Sequence, residues 1–316
     1  MKMIYNGTPD TRLYKSVLSE TIGELLEKDP QVCYLDTDLM SCIGTAKLPQ
    51  KFDRAINCGI AEANMIGIAG GLSAAGFKPI CHSFGPFASR RCYDQLFLSG
   101  GYAGNSITVI GSDPGITAAF NGGTHMPFED VALYRAIPGA TIVDITDVTM
   151  LKAFLTMAVD MPGVKFLRVG RKGSHPVYSE DTEFVAGKGF VLREGTDAVI
   201  IATGIMVHEA LQAAQKLEAE GISAAVIDPF TIKPLDAELI RNYAAKTGCV
   251  VTAENHNKIG GLYSAVKEIL DGEAKTGYVA IEDEFGEVGP QNYLRQRFDL
   301  TDDHIVRVVK ETLAKK

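Results

Sequence analysis

The chain has no run of basic residues and no apolar stretch long enough to cross a bilayer. The first absence excludes the lysine and arginine stripe with which a protein tracks a phosphate backbone. The balance of 31 Lys and Arg against 39 Asp and Glu, a net −8 with His neutral, points the same way. Nucleic acid is not an expected partner. The second absence excludes a membrane-spanning helix. The opening, MKMIYNGTPDTRLYK, has no apolar stretch behind its lysine, so a cytoplasmic location is expected. Six cysteines, at 33, 42, 58, 81, 92 and 249, show neither zinc-site nor redox-pair spacing. Cys33, Cys58, Cys81 and Cys249 lie in apolar stretches and read as small buried hydrophobes, reduced as in a cytosolic setting. Internal repeats and low-complexity tracts are also missing.

What is present is enough apolar sequence for more than one core. At 316 residues and 46% hydrophobic, two domains are expected. Short β-branched runs start at Val32, Ala55, Pro79, Ile107, Ala140 and Val164, and helical patterns such as 11–29 and 147–160 lie between them. That alternation predicts a parallel sheet with helices on both faces. After Arg168 the pattern breaks into RKGSHPVYSEDTEF, a polar stretch punctuated by Gly, Pro and Ser. The expected organisation is therefore an α/β fold of two three-layer α/β/α domains, over 1–172 and 185–316, with a linker at 173–184. The second domain has its own alternation, with strands at AVIIATG, AAVIDPF, CVVTAEN and YVAIED and helices between and after them.

Ligands bind outside the carboxyl ends of strands in open parallel sheets, so the loops after each strand are where chemistry should collect. Asp36 and Asp38 follow the first strand, and Glu62 the second. Phe84, Phe87 and Arg90 follow the third, Asp113, Asn121 and His125 the fourth, and Arg168 and Arg171 the last. Glu62 stands out because it is a lone carboxylate in NCGIAEANMIGIAGGLSAAG. A charge among Ile, Ala, Met and Gly loses hydration, and needs a partner, a helix N-terminus or a function to offset that cost. Phe84 and Phe87 flank a Gly-Pro turn, where aromatics either join the core or floor a flat heterocycle. His125, after Asn-Gly-Gly-Thr, sits in a loop too rich in glycine to be a packed core element, which leaves a proton-transfer or hydroxyl-binding role as open as a structural one. His82, inside a strand, is expected to be buried and hydrogen-bonded. GGLSAAG follows a helix instead of opening one after a strand, so it is not a dinucleotide fingerprint.

Four segments in order, CGIAEANMIGIAGGLSAAG, SFGPFASRRCYDQL, GGTHMPFEDVALYRAIPG and the pair VIDPFTIKPLD with AENH, resemble the pyrimidine-binding and C-terminal domains of the transketolase family. The resemblance covers essentially the whole chain, and deoxyxylulose-phosphate synthase shares most of it. The family's diphosphate and Mg²⁺ site, a Gly-Asp-Gly with a downstream Asn, has no counterpart in the sequence. The resemblance therefore implies the C-terminal half of a split transketolase. Its cofactor, thiamine diphosphate, would be completed by a separately encoded N-terminal subunit that holds the diphosphate and Mg²⁺, in a heterotetramer. Self-association is expected as well.

By the same resemblance, Glu62 matches the glutamate at the pyrimidine N1′ nitrogen, Phe87 the aromatic that stacks on that ring, with Phe84 beside it, and Asp38 an acidic residue close to the cofactor. His125 matches a histidine near the donor's reacting oxygens. Arg168 matches an arginine that binds the sugar phosphate, and Arg12 another. Two departures mark the acceptor end: Ser112-Asp113 stands where many transketolases carry a His in a Thr-His-Asp triplet, and Asn121 where they carry an Asp. Asp113 would repel a phosphate set against it. A sugar other than the usual pentose and tetrose phosphates, such as a branched or sulfonated one, is expected, with Arg90, Arg91 and Arg171 as candidate replacement anion contacts. The β subunit of a 2-oxoacid dehydrogenase's decarboxylating component shares the two-domain plan and is the nearest enzymatic alternative. A non-catalytic scaffolding subunit would have no use for Glu62, Phe87 and His125 together.

Overall fold

The apolar runs become strands in a computed structural model that describes residues 2–316. The chain forms two compact units, Met1–Pro114 with Leu133–Phe184, and Gly115–Ala132 with Val185–Lys316. Among the described residues no helix is long and apolar enough to cross a membrane.

In the first unit the elements are α1 (Tyr14–Lys28), β1 (Val32–Asp36), β2 (Ala55–Asn57), α2 (Glu62–Ala74), β3 (Lys78–Phe84), α3 (Tyr93–Gln95) running into a π-helical stretch (Leu96–Tyr102), and β4 (Ile107–Ser112). The short α4 (Asp130–Arg135) begins before this unit resumes at Leu133, and after it come β5 (Thr141–Asp144), α5 (Val148–Ala158) and β6 (Val164–Val169). The strands lie in the order β5-β6-β4-β3-β1-β2, all parallel. Every residue of β1, β4, β5 and β6 is buried. That accounts for continuous apolar runs where a one-sided sheet would alternate. Helix α1 packs beside α5, and α2 beside α3. The stripe Val17, Leu18, Ile22, Leu25 and Leu26 gives α1 its buried face, and Asp147 caps α5 by accepting the Met150 N–H at 2.8 Å. From β1 the chain first builds outward to β2, then returns to place β3 on the other side of β1. The crevice beyond the carboxyl ends of β1 and β3 is thus a topological switch point, the usual ligand position in such sheets.

The second unit contains β7 (Phe190–Arg193), β8 (Ala198–Ala202), α6 (Met206–Ala219), β9 (Ala224–Asp228), β10 (Thr231–Lys233), α7 (Ala237–Thr247), β11 (Cys249–Asn257), α8 (Leu262–Leu270), β12 (Lys275–Ile281), α9 (Gln291–Arg297) and α10 (Asp302–Leu313). Its sheet runs β12-β11-β8-β9-β7, parallel except for the edge strand β7. Val199, Ile201, Ile227, Ile240, Leu262 and Leu270 share one cluster with Tyr243.

Residues 115–132 pack within this second unit. The Ile116 N–H donates to Asn255 Oδ1 at 3.0 Å, the Asn257 N–H to the Phe128 carbonyl at 2.9 Å, and the Phe128 ring meets Phe298 edge-on at 5.5 Å. All six cysteines are free. Cys33, Cys81 and Cys249 are buried as their surroundings suggest; Cys58 is only half-buried, and Cys92, in a polar stretch, is buried instead.

Candidate active site

Glu62 is the first residue of α2, and it is 4% exposed. Ala61, before it, supplies no side-chain cap, so an acidic residue in the first turn meets the helix's uncapped N-terminus. Two donors converge on one oxygen: Ser83 Oγ reaches Glu62 Oε1 at 3.2 Å, and Arg91 Nη1 reaches the same Oε1 at 3.2 Å and Oε2 at 3.5 Å. Ser83 is itself held, since Thr37 Oγ1 donates to it at 2.8 Å. Thr37 follows β1 and Ser83 lies near the end of β3, so this hydroxyl pair bridges the switch point.

A second buried chain runs beside the first. Asp36 Oδ2 takes hydrogen bonds from the Tyr34 hydroxyl at 2.7 Å and from His82 Nδ1 at 2.7 Å, and His82 Nε2 faces Ser112 Oγ at 3.0 Å. His82 and Asp36 are in register across β1 and β3. The histidine is fully buried, as its place in a strand suggested, and it braces three neighbouring strands at their carboxyl ends.

The two phenylalanines lie edge to face, 6.2 Å between centroids. Each carries an arginine on its ring, and each arginine is paired with a buried acid. Arg91 Cζ sits 3.8 Å from the centroid of the half-buried Phe87 ring while pairing with Glu62. Arg171 Cζ sits 5.0 Å from the Phe84 centroid while Arg171 Nη2 meets Asp113 Oδ2 at 2.5 Å. Burial pushes the Asp113 carboxyl above its usual range, and the hydrogen bond from Arg171 works against that push. Arg171 also lines a cavity of about 230 Å³ with Leu13, Lys15, Cys42 and Lys172. An arginine and two lysines thus border one small space.

The other expected residues are placed differently. Asp38 is exposed, at φ 67°, and exchanges two hydrogen bonds with Asn57: its N–H donates at 3.1 Å and its Oδ1 accepts at 2.9 Å. That is a turn built by two polar side chains. Arg12 pairs with Asp10 at 3.1 Å and Glu180 at 3.3 Å, on the rim of a cavity of about 450 Å³ bordered by Val17, Val148 and Lys152. Arg168 is 1% exposed, with Nη1 on Asp144 Oδ2 at 2.9 Å. It lies inside the sheet, and the half-buried guanidinium at this strand end is Arg171. Asn121 and His125 belong to the second unit. Asn121 is exposed, and His125 ends a 3₁₀ turn with Nδ1 2.9 Å from Thr124 Oγ1. Among the described residues no group of three His, Cys, Asp or Glu is placed to hold a metal ion.

Ser83 and Thr37 are not singled out by the sequence, which also ties Arg91 to no particular acid. A signal for Arg91 existed: it follows Phe87 by four residues, one helical turn, a spacing that brings a guanidinium over a ring.

A buried carboxylate beside a partly open aromatic face, at a switch point, suits a flat heterocycle with a basic ring nitrogen. The transketolase pyrimidine-binding domain matches residues 11–174, and the transketolase C-terminal domain matches residues 187–305. The chain belongs to the transketolase family. It is similar to the 6-deoxy-6-sulfo-D-fructose transketolase subunit SqwH of Clostridium sp. (strain MSTE9), 45% identical over 97% of this chain and 98% of that one. It is also similar to a subunit of the apulose-4-phosphate transketolase of Phocaeicola vulgatus, 32% identical over 94% of this chain and 96% of that one. Among solved structures it is similar to a split-gene transketolase described as an inactive β4 tetramer, with 35% identity, a TM-score of 0.87, and coverage of 96% and 98%. The chain thus carries the two domains of a split-transketolase subunit, a transferase, and matches such subunits along nearly their whole length. Membership of this family implies use of thiamine diphosphate.

Proposed function

We propose that this chain is the pyrimidine-binding subunit of a two-chain transketolase that moves a two-carbon ketol unit from a sulfonated ketose to an aldose. The observation that carries the reading is the 45% identity with the sulfofructose transketolase subunit along 98% of its length. The anion-facing side of the first unit supports it. Arg171, held over Phe84 by Asp113, borders a small cavity with Lys15 and Lys172, and guanidinium forks suit sulfonate as well as phosphate oxygens. In this proposal the terminal anion meets Arg171 and the two lysines, and Arg168 stiffens the sheet through Asp144. Arg171 neutralises Asp113, which removes the repulsion expected from an acid at this point.

Thiamine diphosphate, when bound, supplies the carbon nucleophile and the electron sink. The protein's share is orientation and proton handling. Glu62 holds a proton at the pyrimidine N1′ nitrogen, with Ser83 fixing Oε1 so that Oε2 can face the ring. Phe87 gives the ring a flat floor, Phe84 supports Phe87 edge-on, and their apolar bulk excludes water. Asp38 and Asn57 shape the turn beyond β1, close to the cofactor. His125 and Asn121 bind hydroxyls of the sugars, and His125 moves a proton at the carbinol oxygens. Arg12 is a secondary substrate contact once it leaves Asp10 or Glu180. Mg²⁺ and the diphosphate belong to a separately encoded subunit, in a heterotetramer in which this chain also meets its own copy. A cytoplasmic setting suits six free cysteines.

The test is reconstitution. The chain is mixed with a subunit that carries the Gly-Asp-Gly site, and transfer is measured from 6-deoxy-6-sulfo-D-fructose and from fructose 6-phosphate. Turnover should need both chains and should show the higher kcat/KM with the sulfonated donor. Turnover by this chain alone would end the split-subunit reading, and a preference for the phosphate would end the donor assignment.

A further inference from the structure

Arg91 does two things with one flat group. Its Nη1 reaches both oxygens of Glu62, at 3.2 and 3.5 Å, and its Cζ lies 3.8 Å from the Phe87 centroid. A layer of that thickness is what a stacked aromatic ring fills, so a planar guanidinium and a planar heterocycle cannot lie together on the same side of Phe87. The chemistry is compatible too: the guanidinium donates N–H to the carboxylate, and the ring brings a basic nitrogen in its plane to share a proton with the same group. The two donors on Glu62 nevertheless differ in freedom. Ser83 is buried and tied to Thr37, whereas the Arg91 side chain is 48% exposed on a flexible stem.

We infer that Arg91 is a placeholder for the cofactor's pyrimidine ring: before the ring arrives it pairs Glu62 and covers Phe87, and it gives up both positions when the ring enters. This rests on the reading that Glu62 and Phe87 receive that ring. The physical reason for such a residue is the carboxylate. Glu62 is 4% exposed, and a buried charge without a partner strongly destabilises a fold. A half-exposed arginine is the partner that departs most cheaply, because solvent takes over its hydration and its ion pair is already screened. Ser83 keeps Oε1 in place during the exchange, so the carboxylate does not have to be re-aimed.

The test titrates the full chain with 4-amino-5-hydroxymethyl-2-methylpyrimidine, the ring without thiazolium or diphosphate, followed by NMR, in wild type, R91Q, R91K, F87A and E62Q. R91Q keeps a donor for Glu62 but removes the flat cation from Phe87. It should bind the ring about three- to tenfold more tightly than wild type, with R91K between them, while F87A and E62Q bind more weakly. A second readout labels wild type with phenylglyoxal and follows the peptide containing Arg91 by mass spectrometry. Labelling of Arg91 should rise when the pyrimidine is present. Unchanged or weaker binding by R91Q, or protection of Arg91 by the ring, would overturn the placeholder and leave the ring site standing. If F87A and E62Q bind like wild type, the ring site itself is wrong, whatever R91Q does.

Discussion

A carboxylate at 4% exposure and a guanidinium at 48% make an unequal pair, and the first unit uses that inequality twice, at Glu62 with Arg91 and at Asp113 with Arg171. Lys165 is the opposite case, a buried cation in β6 with no carboxylate as its bonded partner: its Nζ donates to the Met161 carbonyl at 2.7 Å, and burial brings its pKa down from 10.5 to about 8. Below pH 8 both the folded and unfolded chains keep this proton, and the folded state carries the full cost of the buried charge. Between pH 8 and 10.5 the unfolded chain holds the proton that the folded chain has released, so this group's contribution to stability rises with pH across that window. K165M should therefore be more stable than wild type at pH 7, on the order of 1–3 kcal/mol. Urea midpoints measured from pH 7 to 10.5 should show that gap closing; a gap independent of pH would mean Lys165 is not desolvated in solution. At this scale the sequence reading was uneven for physical reasons. Glu62 was visible because a charge in an apolar run is anomalous wherever the chain goes. Arg168 is assigned to the sugar phosphate by resemblance alone; β6 runs to Val169, so Arg168 sits within the strand against Asp144 and Arg171 lies beyond its end.

Among the elements, β4 shows how closely the strands of the first unit are fitted. A Cβ on Gly111 would lie 2.7 Å from Phe166 on the neighbouring β6, and Phe166 is stacked on Tyr134 at 3.9 Å, whose hydroxyl donates to the Ala88 carbonyl at 2.7 Å. G111A should push along that line toward the turn that carries Phe87 and lower stability by about 1–3 kcal/mol, as overpacked cores do. Denaturant unfolding checks this, and a change under about 0.5 kcal/mol, the size of an ordinary surface substitution, would show that the ring can yield. The strands with continuous apolar runs, β1, β4, β5 and β6, were legible because burial on both faces leaves a plain signature, and β3, β8, β9, β11 and β12 were read from similar runs. Missed were β7 and β10, four and three residues long, which carry too few side chains to establish a pattern. Helix α2 was legible through its small apolar residues, whereas the π-helical stretch after α3 has no periodicity that sequence alone reveals.

At the scale of the molecule, composition marks one boundary, at the polar stretch 173–184. Compactness divides the chain at three places, since residues 115–132 pack with 185–316. No composition shift marks that segment; its place depends on Phe128 finding Phe298 and on Asn255 receiving the Ile116 N–H. A fragment 185–316 made alone loses that aromatic pair and two hydrogen bonds, together about 3 kcal/mol. It should melt roughly 10 °C or more below the same fragment with 115–132 joined to it by a flexible linker. Equal melting temperatures in scanning calorimetry would show that the segment adds nothing to the second unit.

The same threading bears on how such a gene can be rearranged. A single break in the polar stretch separates two continuous lengths of DNA but not two complete folding units, because eighteen residues needed by the downstream unit are encoded upstream of the break. Exchange of the carboxyl half between relatives would leave each recipient unit packed against a foreign segment, so residues 115–132 and the surfaces around Asn255 and Phe298 are expected to travel as matched sets.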